Sequence, residues 1–136
     1  MTDNIIPSVG DSFLLECVVS EQKTASIFSG GENEVYADVL GTPFLIADME
    51  KACAKLLAST LDQNQVSVGA HIDVRHIAPT GIGASYSVYA TLIEKRWNLY
   101  TFEVVAKDSV GEIGKGRIVR AVVSLDDIML RGSKAI

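Results

Sequence analysis

Apolar residues recur at helical spacing along one stretch of the chain and at every second position along much of the rest. Leu45, Met49, Ala52, Cys53, Leu56 and Thr60 form one stripe between Pro43 and about Leu61, a stretch without glycine or a second proline. Thr42 suits the N-cap and Pro43 the first helical position, so the pair predicts where this helix begins. Asp62-Gln63-Asn64-Gln65 ends it, and Asp48, Lys51 and Lys55 are assigned to its wet face. Before the helix, Asp11 to Val19 has strand character, and the glycine-rich run Ser29 to Glu34 reads as a loop. After it the period falls to two. Val66, Val68, Ala70, Ile72, Val74 and His76 share one face of a strand, and Ser67, Gly69, His71, Asp73 and Arg75 share the other. Further strands are predicted at about Ala84 to Lys95, Leu99 to Lys107 and Ile113 to Leu125, separated by turns at Ala78 to Gly81, Trp97-Asn98 and Asp108 to Gly111.

The order is therefore one strand, one helix of about 18 residues, then four strands joined by short turns. Short turns imply antiparallel neighbours. A single apolar-faced helix must bury its stripe against that sheet. The fold class expected is α+β with the hotdog architecture, one long helix wrapped by a five- to six-stranded antiparallel sheet.

Length and charge narrow the function classes. A chain of 136 residues fits one domain spanning positions 1–136. Hydrophobic residues make up 48% of it, enough for one core with surplus apolar surface that suits a homodimer. Twelve Lys+Arg against 17 Asp+Glu leave a net charge of −5, which argues against a nucleic-acid partner. No apolar run reaches transmembrane length, so no membrane partner is expected. Met1-Thr2-Asp3-Asn4 lacks the basic, then apolar pattern of a secretory leader. Cys17 and Cys53 lack metal-site spacing and read as free thiols of a cytoplasmic protein. His71 and His76 are five apart on a strand, which does not suit a shared metal.

Three residues could carry chemistry. Glu50 falls beside Ile46, Cys53 and Leu57 at the edge of the apolar stripe. A carboxylate partly shielded from water there suits general-base or nucleophile duty, against the plainer role of pairing with Arg75 or Arg120. His76 ends a buried strand face, where an imidazole can orient a base or simply satisfy a carbonyl. Thr42 explains itself as a cap, yet its hydroxyl beside the helix N-terminus could also meet a carbonyl or an oxyanion. Arg75, Arg96, Arg117 and Arg120 are scattered over the later strands, where one or two could meet phosphates. Gly111 to Gly116 lacks the context of a phosphate loop and is assigned to a hairpin and a bulge. No nucleophile-elbow, zinc or dinucleotide motif is present.

Two stretches sharpen this reading. Gly41-Thr42-Pro43-Phe44-Leu45-Ile46-Ala47-Asp48-Met49-Glu50-Lys51-Ala52-Cys53 resembles the helix start of the fluoroacetyl-CoA thioesterase-like hotdog proteins. Val68 to Thr80, with its Arg75-His76-Ile77-Ala78-Pro79-Thr80 ending, resembles their next strand. Ala106 to Asp108, Glu112 to Gly116 and Arg120 to Val123 also match, so the likeness runs from about Val9 to Leu125. It implies an acyl-CoA thioesterase whose Thr, Glu and His fall on Thr42, Glu50 and His76. It implies substrate contacts from Gly69 and Arg120, and an acyl pocket shaped by Gly30 to Leu40. It also implies a homodimer with the sites near the subunit interface, and no cofactor, coenzyme A being part of the substrate. Glu50 is then expected to activate water or attack the thioester, and His76 to orient the carboxylate and handle the proton. Thr42 and Glu50 stand eight residues apart, about 12 Å along a helix, so a fold-back or a second subunit must bring them together. Two rivals share the scaffold: a non-catalytic acyl-CoA binding module and an enoyl-thioester hydratase, whose usual Asp/His motif is missing.

Overall fold

The computed structural model describes residues 7–136. Met1 to Asn4, where no secretory leader was expected, lie outside them. The elements are β1 (Ser12–Val18), α1 (Thr42–Leu57), β2 (Gln65–His76), β3 (Ser85–Arg96), β4 (Leu99–Asp108), β5 (Glu112–Ser124) and α2 (Leu125–Ser133). Five strands form one antiparallel sheet in the order β1-β3-β4-β5-β2, which leaves β1 and β2 at its edges. Helix α1 packs across one face of the sheet, and the hotdog expectation holds.

The alternation read from the sequence is the alternation that is buried. Tyr86, Val88, Ala90 and Leu92 of β3 and Phe102, Val104 and Ala106 of β4 face Leu45, Met49, Ala52, Cys53 and Leu57 of α1 in one core. Each fully buried aliphatic side chain contributes about 1.5–3 kcal/mol, so this layer dominates the stability. The helix comes this close to β5 because Gly114 has no side chain. A Cβ there would sit 2.9 Å from Leu45 Cδ2. Gly116 is tighter still. Its Cβ would run into the Asp73 carbonyl oxygen and lie 2.7 Å from Val74 Cα, both backbone atoms of the paired strand. Gly116→Ala should therefore cost about 1–3 kcal/mol. That is a loss of roughly 3–10 °C in Tm by thermal unfolding, with an unchanged Tm as the contrary result. Gly111, at φ +159°, serves the β4–β5 turn, and the β4–β5 register skips Ile113 between Glu112 and Gly114, so the run holds both the hairpin and the bulge assigned to it.

Three local expectations are corrected. The last strand is followed by a helix, α2, capped by Ser124, whose hydroxyl accepts from the Asp127 N–H at 3.3 Å. Asp48 is 8% exposed rather than on the wet face; Lys23 and the Tyr86 hydroxyl reach its carboxylate from the loop and the sheet. The period of β2 also breaks. A bulge between Gly69 and His71 adds one residue, so Gly69 faces the helix before it, and Val74 and His76 face the helix after it. Strict alternation had placed Gly69 and His76 on opposite faces.

Candidate active site

Helix α1 starts one residue earlier than a Thr42 cap would require. Gly41 is the N-cap: its backbone is extended (φ −75°, ψ 140°) and its carbonyl accepts from the Phe44 and Leu45 N–H groups at 3.0 and 3.1 Å. Thr42 is thus the first helical residue, with its hydroxyl free of capping. That hydroxyl is hydrogen-bonded to His76 Nδ1 at 2.8 Å. The other ring nitrogen, Nε2, is buried and has no protein partner. Burial pushes the imidazole below its ordinary value, opposed by a backbone hydrogen bond at Ala78, so His76 is neutral at pH 7. A cavity of about 300 Å³ opens on the pair, walled by Ala25, Val39, Leu40, Ile77 and Pro79.

A second group lies two turns further along α1. Glu50 Oε1 accepts from Arg120 Nη1 at 3.1 Å. The guanidinium is held in turn by the Ser67 hydroxyl at 3.1 Å and the Ser67 carbonyl at 2.8 Å. Gly69 presses on Glu50, and any Cβ there would collide with Oε1. Another cavity, of about 400 Å³, is lined by Glu50, Gly69, Ala70, His71 and Ile72, and it runs along the free edge of β2. Cys53 stands near this carboxylate. Burial, only partly offset by Arg120, pushes its thiol up to about 12, so it carries no thiolate at neutral pH. A third cavity, of about 370 Å³, lies on the outer face of the sheet among Asp73, Arg75, Glu103 and Arg117, away from both groups.

All five residues expected at a site are therefore engaged, in two clusters. Thr42 pairs with His76, and Glu50 groups with Gly69 and Arg120. No hydrogen bond joins the clusters among the described residues. The Arg120 partner of Glu50 is the plainer alternative foreseen for that residue. The loop wall Ala25, Val39 and Leu40 was not singled out residue by residue; only the likeness pointed to part of that loop. Among the described residues no trio of His, Cys, Asp or Glu is placed to hold a metal ion, and no helix is long and apolar enough to cross a membrane.

Comparison with known proteins adds to this geometry. Residues 19–126 match the model of the fluoroacetyl-CoA-specific thioesterase family. A fluoroacetyl-CoA thioesterase of Streptantibioticus cattleyicolor is 33% identical over 120 residues, covering 87% of this chain and 86% of that protein. A solved fluoroacetyl-CoA thioesterase superposes with a TM-score of 0.92 at 29% identity, over 97% of this chain and 99% of the other. A variant of such an enzyme, crystallised with fluoroacetate and CoA, superposes with a TM-score of 0.84 at 32% identity, over 90% of this chain and 99% of the other. A Thermus thermophilus thioesterase-superfamily protein, 22% identical with a TM-score of 0.84 over 94% and 92% of the two chains, shares the fold.

Proposed function

The chain belongs to the fluoroacetyl-CoA-specific thioesterase family of hotdog thioester hydrolases, and from that premise we propose that it hydrolyses a small acyl-CoA with Thr42, Glu50 and His76. The observation that carries this is the placement of two prepared polar clusters on one helix, each open to a cavity. Arg120 occupies Oε1 of Glu50 and leaves Oε2 to act. Oε2 either attacks the carbonyl carbon, breaking the C–S bond to give an acyl–Glu50 anhydride that water opens, or takes a proton from the attacking water. Both routes end in the free acid and coenzyme A.

The other cluster polarises the carbonyl. In the tautomer proposed here the Thr42 hydroxyl donates to Nδ1, and the single proton of the neutral ring sits on Nε2. Among the described residues Nε2 has no hydrogen-bond partner, and its N–H can donate to the carbonyl oxygen as negative charge grows on it. Gly69 lets the Glu50 carboxylate lie against the backbone of β2, and Arg120 both holds the carboxylate and offers charge to the bound thioester.

The active form is proposed to be a homodimer joined through β2. A free strand edge of 12 residues, exposed at Gly69 to Asp73, is a template for pairing. Pairing there closes the Glu50 cavity, which runs along that edge. The protein is read as a single domain acting in the cytoplasm without a separate cofactor. Free-thiol release from acetyl-, fluoroacetyl-, branched, aromatic and medium-chain acyl-CoAs tests the activity and identifies the acyl class. A folded protein that binds these esters but releases no thiol is a binding module instead. Crotonyl-CoA hydration without thiol release would mark a hydratase. A monomer by light scattering would sink the dimer.

A further inference from the structure

The loop that leads into Thr42 is tied to the core by a part-buried ionic cluster that the proposed chemistry does not use. The segment between β1 and α1 supplies Ala25, Val39 and Leu40 to the Thr42–His76 cavity and ends at Gly41, the cap of α1. Its two arms are tied to each other. The Ala25 N–H donates to the Val39 carbonyl at 2.8 Å, and the Gly41 N–H to the Lys23 carbonyl at 2.8 Å. Gly41 sits so close to Ala25 that a Cβ would lie 3.1 Å from its nitrogen. The backbone of Lys23 is thus bonded to the residue immediately before Thr42.

The side chain of the same lysine leaves the loop. Lys23 Nζ reaches Asp48 Oδ2 at 2.8 Å and the Tyr86 hydroxyl at 3.3 Å, and Tyr86 donates to the same carboxylate oxygen. Asp48 lies on α1 and Tyr86 on β3, so one ammonium joins loop, helix and sheet. Among the described residues, no other side chain of this loop has a hydrogen bond reaching α1 or the sheet. Burial and the neighbouring Asp48 push the Tyr86 phenol up, so it remains a donor throughout the working pH range. A part-buried ion pair such as this one is a poor source of stability, because desolvation and solvent screening offset most of its Coulomb gain. It is a good source of geometry, because a buried charge tolerates one arrangement of partners.

We propose that Lys23, Asp48 and Tyr86 are positioning residues for catalysis: the cluster fixes the loop arm that presents Thr42 to His76 and walls the acyl cavity. The proposal rests on the thioesterase reading above. None of the three side chains lines the Thr42–His76 cavity.

The test is the double variant Lys23→Met/Asp48→Asn, which removes both charges together and leaves no unpaired ion. On the best acyl-CoA, kcat should fall about tenfold while KM stays within about twofold, the loss expected of a group displaced by a fraction of an ångström. The 15N shift of His76 Nδ1 should move toward that of an imidazole without the Thr42 bond. Unchanged kcat and an unchanged shift in a folded double variant would overturn the proposal. If that variant does not fold, Tyr86→Phe removes one hydroxyl and keeps the ion pair; about a threefold drop in kcat is expected, and none overturns it. Should the wild type turn over no acyl-CoA, the thioesterase reading fails by itself, and the His76 shift still decides whether the cluster sets the Thr42–His76 bond.

Discussion

Glu50→Gln abolishes thiol release, with kcat lower by on the order of 10³ or more, and leaves acyl-CoA binding within a few-fold of wild type. The substitution is nearly isosteric, and the amide oxygen can still accept from Arg120 Nη1, so the second cluster keeps its shape. What is lost is the carboxylate that takes a proton or forms the anhydride. Glu50→Asp keeps the charge but withdraws it by one methylene from Gly69 and Arg120, and a shift of about 1 Å should cost about 10² in kcat. Thiol release by single-turnover kinetics measures both. A single turnover in 18O-water then tests for direct attack: label in the Glu50 carboxylate requires an anhydride that water opens at the Glu50 carbonyl, which activation of water alone does not give. Turnover that persists in Glu50→Gln would move the chemistry away from this residue.

How far the site was legible in the chain can be seen at three places. The helix announced itself through Thr42-Pro43 and a stripe without glycine, because local backbone preference and burial agree there. The one-residue offset of its cap did not, since Thr42 is a good cap and only its bond to His76, 34 residues away, gives the hydroxyl another use. Asp48 was misplaced for a similar reason. Helical periodicity put it with Lys51 and Lys55, while its partners Lys23 and Tyr86 stand 25 and 38 residues away, and no local rule sees them. The bulge in β2 is the most consequential case. Alternation counts residues, and a single extra residue between Gly69 and His71 reverses its parity. The likeness to known thioesterases pointed to Gly69 and His76 together; the bulge is the physical reason both face one helix. Helix α2 was legible but unread: Ser124 followed by Asp126 and Asp127 is an ordinary start signal.

His76→Ala should lower kcat by about 10²–10³, the loss expected when one donor to a developing oxyanion is removed. His76→Gln, whose amide can still donate, should retain more activity than the alanine variant. If the two variants are equally impaired, the donor role of Nε2 is wrong and the ring acts through its bond to Thr42 instead. The same residue also predicts how stability depends on acid. Burial holds the folded pKa of His76 below its ordinary value of 6.5, so as pH falls the unfolded chain takes the proton first. Wild-type stability should therefore decline below about pH 6.5 until the folded pKa is passed. His76→Gln carries no such proton and should lose less stability over the same interval. Urea unfolding of both proteins at pH 7.5 and pH 5 measures this difference, and equal losses would mean that His76 accommodates its charge as readily in the folded site as in water.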